Sequence, residues 1–176
     1  TVKIPLYLDT MGTVLVGLVA GPWAGALTGL LSSLLWIPRG NAIYAWYWPV
    51  GIIIGLLAGY FGGIGWVKTW WTWLLAGLIT GFVAALPSAF ITARLFGGVT
   101  GAGTDVITAM FRAMGLSVEM AALGQSMTVD LVDKVVTFFL VWLIIKGLPV
   151  RLLARFPRSE NVLEGSDIDL DSVLDA

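Results

Sequence analysis

Gly17-Leu18-Val19-Ala20-Gly21-Pro22-Trp23-Ala24-Gly25-Ala26-Leu27-Thr28-Gly29 carries a glycine at every fourth position of an otherwise apolar run. The spacing recurs as Gly51, Gly55, Gly59, Gly63 and as Gly77, Gly81, Ala85, Ala89. In water, glycines inside helices weaken them by roughly 0.5–1 kcal/mol each relative to alanine. In lipid the backbone must satisfy its own hydrogen bonds and helices associate by van der Waals contact. A small residue on each turn then makes a flat stripe that another backbone can approach closely. The pattern predicts a compact bundle of membrane helices. It names no function, because such stripes serve channels, transporters, sensors and assembly subunits alike.

Composition agrees with lipid as the solvent. The 176 residues are 58% hydrophobic and 12% charged, against roughly 25% charged in soluble domains. One membrane domain, residues 1–158, is expected. The formal net charge of −1 hides a split: six of the eleven acids follow Arg158, whereas all ten basic residues lie at or before it. Residues 159–176 therefore read as a separate acidic cytoplasmic tail, expected to be disordered. There is no cysteine and no histidine, which removes disulfides, thiolate chemistry and the imidazole ligands on which zinc, nickel and cobalt sites lean. No metal, cofactor or nucleic-acid partner is expected. The chain starts at Thr1 with no charged n-region ahead of a cleavage site, so no signal peptide is read and a further N-terminal segment is expected.

Five apolar segments follow along the chain. Residues 11–20 are short for a span of about 20 residues, and Gly21-Pro22 interrupts them before residues 23–37. The unbroken glycine phase favours one kinked helix and the Gly-Pro pair favours a turn between two. Pro38-Arg39-Gly40-Asn41 is a loop; 45–61 and 70–96 are spans, the second with Pro87 inside it. Gly97 to Gly103 is a loop, Thr104 a candidate cap, and 105–114 a short amphipathic helix with Val106, Ile107, Met110, Phe111 and Met114 on one face. The last span is 131–148. The fold class expected is all-α: five transmembrane helices, six if a first helix is missing, with a short external amphipathic helix.

Lys146, Arg151, Arg155 and Arg158 close the last span. By the positive-inside rule this end is cytoplasmic. Alternation then puts the 38–44 loop and the 97–130 region outside, with Arg39 and Arg112 as isolated external cations. The chemistry-bearing residues gather on that face. Asp9 precedes the first helix and can cap it or meet a ligand. Asn41, Tyr44, Trp46, Tyr47 and Trp48 can stack on and hydrogen-bond a planar ring, or form an aromatic belt at the interface. Asp105 and Arg112 fall on the polar face of the amphipathic segment and are candidates for ligand contact. Asp130, Asp133 and Lys134 share a face at i, i+3 and i+4, where an Asp130–Lys134 pair and a cap compete with ligand contact. Catalysis is not expected: no Ser-His or Cys-His pair, phosphate loop or metal spacing is present.

Residues 8–30, from Leu8-Asp9-Thr10-Met11-Gly12 through Gly21-Pro22-Trp23 to Leu30, resemble the second and third helices of the substrate-binding S components of energy-coupling factor (ECF) importers. The blocks Leu95-Phe96-Gly97-Gly98-Val99-Thr100-Gly101-Ala102-Gly103-Thr104-Asp105 and Asp130-Leu131-Val132-Asp133-Lys134 are similar to what one branch of that family carries before and at its last helix. The resemblance covers most of residues 4–158. It implies a prokaryotic cell-membrane protein of six helices with cytoplasmic termini, a true turn at Gly21-Pro22, and a pocket closed by external loops at residues 1–9, 38–48 and 97–130. The cargo would be a small vitamin-like, ring-containing nutrient. The partners would be a transmembrane coupling subunit and two cytoplasmic ATPases. The family's first helix, which meets the coupling subunit, has no counterpart before Thr1, so the stripes through Gly51, Gly55, Gly59 and through Gly77, Gly81, Ala85 are the expected docking surfaces. The competing reading is a structural or sensory membrane subunit without a pocket.

Overall fold

A computed structural model describes residues 8–38, 40, 42–66 and 68–162, and among the described residues every regular element is a helix, with no strand. A 3₁₀ turn, Leu8–Thr10, leads into α1 (Met11–Ala20) and α2 (Pro22–Leu34). Then come α3 (Ala42–Ala45), α4 (Trp48–Gly63), α5 (Trp70–Phe96), α6 (Asp105–Ala113) and α7 (Val118–Gly147), with two short pieces, α8 (Val150–Leu153) and α9 (Ser159–Val162). By length and composition α5 is the one helix among the described residues able to cross a membrane unaided, while α1 and α4 are shorter apolar helices.

Gly21-Pro22 is a turn. Gly21 holds φ +102, a left-handed-side conformation open to glycine, and Pro22 takes the first position of α2, where a missing N–H is harmless. The glycine phase nevertheless survives the turn, because α1 and α2 fold back on one another and both lie on α4. A Cβ on Gly17 would come 2.9 Å from the Gly55 carbonyl, and one on Gly25 would come 2.6 Å from the same oxygen. Gly29 meets Gly51, and Gly59 meets Pro22, closer still. The second layer is α5 on α7, where Gly77 faces Val135 and Gly81 faces Asp130 and Leu131. Val14 and Leu18 of α1, Ile54 and Phe61 of α4, Ala84 of α5 and Phe138 of α7 form the seam between the layers.

This corrects the expectation that Gly51, Gly55, Gly59, Gly77, Gly81 and Ala85 present a surface to another subunit. All six are buried against the chain's own helices. The large apolar side chains point the other way: Leu78, Phe82, Leu86 and Phe90 repeat at four-residue spacing along the exposed side of α5, and Trp23, Leu27 and Leu31 do so along α2. Small residues inside and large ones outside is the order expected of helices packed in lipid.

Two boundaries also move. The last helix begins at Val118, thirteen residues before the expected 131, because Ser117 caps it by accepting from Met120 N at 3.3 Å. Asp130 is therefore a mid-helix residue and not a cap. At the front, Thr10 and not Asp9 holds the N-cap position of α1. The apolar face of α6 is divided: Val106, Met110 and Met114 are exposed, while Thr108 is buried and Phe111 packs on Gly124 of α7. The acidic tail starts with the helical turn α9; residues 163–176 lie outside the described residues.

At the C-terminal end of α4, Arg158 donates from Nη1 to Gly59 O at 2.6 Å, and its backbone N–H reaches Val19 O at 3.2 Å. This basic end of the bundle is opposite the end at which the polar residues converge.

Candidate functional site

The end of α2, the start of α4 and the part of α5 after Pro87 border a common space. Between them and α7 lies a cleft whose empty space, open mouth included, is about 790 Å³. Proline removes one rung of the helix ladder, and Ser88 and Thr92 on the following turn both face this space. Ser32 and Ser33 close the α2 side, Thr100 the loop after α5, and Gln125 and Ser126 the α7 side.

The charged floor is built by α7. Asp130, Asp133 and Lys134 are 6%, 0% and 3% exposed. Lys134 does not pair with Asp130 as the spacing suggested. Its Nζ lies 2.5 Å from Asp133 Oδ2 and donates to Thr10 Oγ1 at 3.1 Å, tying α7 to the start of α1. Asp130 Oδ2 is buried without a hydrogen-bond partner in the protein, as is Thr13 Oγ1 on α1, and both residues line the cleft. The Asp130 carboxyl is also hydrogen-bonded by Ser88, which lines the same cleft.

An aromatic wall stands opposite. Trp36 and Tyr44 pack with ring centroids 5.2 Å apart and planes tilted by 49°. Tyr47 stacks on Phe96 at 6.4 Å, and its hydroxyl shares a 2.7 Å hydrogen bond with Thr92 Oγ1, joining the head of α4 to α5. Burial, followed by the negative charges of Asp105 and Asp9, pushes the Tyr44 phenol above its ordinary value, so it stays a neutral donor at physiological pH.

Of the residues singled out from sequence, Asp9, Tyr44, Tyr47, Asp130 and Lys134 line the cleft. Asp133 sits behind it as the partner of Lys134. Trp46 and Trp48 are 56% and 44% exposed and do not line it, which fits the interfacial-belt reading of those two rings. Asp105 is turned to its own loop: its carboxylate accepts from Thr100 N at 3.1 Å, Thr100 Oγ1 at 2.9 Å and Gly101 N at 2.7 Å. Arg112 is exposed and donates to Leu116 O at 2.8 Å, closing the end of α6. Asn41 and Arg39 lie outside the described residues. Among the described residues, no group of three carboxylate, imidazole or thiol side chains is placed to hold a metal ion.

Sequence reasoning missed Thr13, Ser32, Ser33, Trp36, Ser88, Gln125 and Ser126, all of which line the cleft. Their signal was available: each pair Ser32-Ser33 and Gln125-Ser126 is a polar interruption in a helix of small and apolar residues. Trp36 was hidden because it falls in the turns after α2, outside the aromatic cluster that began at Tyr44.

No family model matches the chain, and no solved structure matches it. Among curated proteins the chain is similar to the biotin transporter BioY of Rhodobacter capsulatus, 25% identical over 170 residues that cover 92% of this chain and 85% of the relative. The likeness is to a transporter and not to an enzyme, and it runs through nearly the whole helical bundle. It agrees with the resemblance to vitamin-binding S components read from residues 8–30, 95–105 and 130–134.

Proposed function

We propose that this chain is the membrane-embedded substrate-binding subunit of an ECF-type importer, capturing a small, ring-containing vitamin or vitamin precursor from outside the cell for ATP-driven uptake. One observation carries the reading: a cleft at one end of the bundle, lined by the rings of Trp36, Tyr44 and Tyr47 and by buried polar groups that include Asp130 and Thr13. Apolar pockets with a few convergent polar groups are the usual form of such sites. The similarity to a biotin transporter along the chain supports the same class of cargo. In this reading five segments cross the membrane (α1 and α2 as a short hairpin, then α4, α5 and α7), α6 lies at the outer surface, and the Arg158 end is cytoplasmic. A transmembrane coupling subunit would dock on an exposed apolar face such as Leu78, Phe82, Leu86 and Phe90, with two ATPases beneath it.

The reading as a pocketless structural subunit has less to stand on. The small-residue stripes it would use for assembly are consumed inside the chain.

The test is a ligand panel on detergent-purified protein, beginning with biotin and extending to other ring-containing vitamins, read by tryptophan fluorescence and melting temperature. At least one compound is expected to quench fluorescence saturably and to raise the melting temperature by several degrees at a hundredfold excess over its Kd. A panel with no effect on either signal overturns the proposal.

A further inference from the structure

α6 gives only part of its apolar surface to the bundle. Thr108 and Phe111, three residues apart, share the side that meets the protein: Thr108 is 4% exposed beside Gly98, and Phe111 packs on Gly124 of α7. Val106, Ala109, Met110 and Ala113 share the opposite side, and all four are exposed, Val106 at 65% and Met110 at 63%. A helix bathed in water turns its apolar stripe inward. Here a threonine is turned inward while a valine and a methionine are turned out.

The neighbours of α6 fix its level along the bundle. Tyr47 stacks on Phe96, the last residue of α5. Trp46 and Trp48, on either side of Tyr47, are exposed as the rings of an interfacial belt are. Two residues past Phe96, a Cβ on Gly98 would stand 3.5 Å from Thr108 Cγ2. The buried side of α6 therefore sits beside the end of α5, near the level of those rings. Nine residues span about 14 Å, too short to cross a bilayer. Four side chains of so short a helix also offer far less than the roughly 800 Å² per partner of a stable protein interface.

We infer that the exposed stripe of α6 is an interfacial anchor whose partner is the lipid surface, seated at the boundary between headgroups and acyl chains of the outer leaflet. The inference goes beyond the substrate-binding reading and rests on it only for the choice of leaflet. The seating reaches the cleft, because Asp105 opens α6 and its carboxylate fastens Thr100, which lines the cleft.

The test is site-directed spin labelling of the full chain in vesicles of phosphatidylcholine and phosphatidylglycerol, made direct by the absence of native cysteine. Val106→Cys and Met110→Cys probe the stripe. Arg112→Cys, exposed on the polar side of the same helix, and Phe82→Cys, exposed on α5, are the references. Collision with oxygen, which enters lipid, relative to collision with a water-soluble nickel chelate is expected to be at least threefold higher at Val106 and Met110 than at Arg112. Either stripe position decides if the other variant fails to fold. A ratio equal to that at Arg112 overturns the inference in favour of water. Immobile labels reached by neither reagent overturn it in favour of a covering protein, a second copy included. A Phe82 site reached by nickel and not by oxygen overturns the membrane placement itself, and with it the inference.

Discussion

Gly81 of α5 lies directly against the backbone of Asp130 on α7: a Cβ at Gly81 would stand 2.7 Å from the Asp130 carbonyl oxygen and 2.8 Å from Leu131 Cα. The helix that carries the buried carboxylate is thus set in place by the absence of a side chain on its neighbour. Packing and site are one problem here, since any widening of the α5–α7 contact also moves Asp130 relative to Ser88 and Thr92.

Gly81→Leu is expected to prevent α5 and α7 from closing, with loss of monodisperse protein on extraction. Gly81→Ala tests the same contact more gently. Overpacking of this kind costs about 1–3 kcal/mol, so the alanine variant is expected to fold with a lowered melting temperature and a measurably weaker ligand response. A Gly81→Ala protein as stable as its parent would show that the two helices can separate at no loss.

Much of the bundle was legible in the glycine spacing, since contact between small residues needs only that they recur on one face. What the spacing could not say is which stripe meets which. Gly17 and Gly25 both reach Gly55, because the turn at Gly21 folds two patches onto one helix. The site was legible only in part for a related reason. Charge and aromaticity flagged Asp9, Tyr44, Tyr47, Asp130 and Lys134, but they also flagged Trp46, Trp48, Asp105 and Arg112, which do not line the cleft. Asp105 looked like a ligand contact and is the fastener of its own loop; only the backbone path between Thr100 and Gly101 reveals that.

Lys134→Met should be among the most damaging single changes. It removes the cation 2.5 Å from Asp133, a residue with no exposure, and breaks the link to Thr10. Removing one partner of a buried pair costs about 3–5 kcal/mol, because a charge is left in a low-dielectric setting. Lys134→Met combined with Asp133→Asn is expected to recover a large part of that loss. Thermal unfolding of the two single variants and the double variant closes the cycle, and strict additivity would contradict the pairing.

Asp105→Ala should loosen the loop that borders the mouth of the cleft. Its carboxylate gathers donors from Thr100 and Gly101, and hydrogen bonds to a charged acceptor are worth about 1.5–3 kcal/mol each when intact. Hydrogen exchange at residues 98–104 is expected to accelerate at least tenfold while α5 and α7 keep their protection. Unchanged exchange in that loop would mean the carboxylate does not hold it.

Trp36→Phe and Tyr44→Leu should weaken ligand binding by roughly tenfold, the effect of about 1.4 kcal/mol of lost ring contact. Trp46→Phe and Trp48→Phe, whose side chains are turned outward, should leave the Kd within twofold. Fluorescence titration separates the two sets and also identifies the reporter, since the ligand-dependent quench is expected to shrink in Trp36→Phe alone. A quench that instead follows Trp46 would move the ligand out of the cleft and onto the rim.

Orientation can be tested without a background of native thiols, because the chain contains no cysteine. Met114, 74% exposed just beyond α6, and Arg155, exposed after α8, lie at opposite ends of the bundle in this reading. The basic cluster at Lys146, Arg151, Arg155 and Arg158 is expected to stay in the cytoplasm. In intact cells a membrane-impermeant maleimide should therefore label Met114→Cys and spare Arg155→Cys, and permeabilisation should make the second site reactive. The reverse pattern would invert the protein and put the cleft on the cytoplasmic side, where capture of an external nutrient is impossible. Labelling of both sites in intact cells would break the five-span topology itself, since an odd number of crossings between residues 114 and 155 is what separates them.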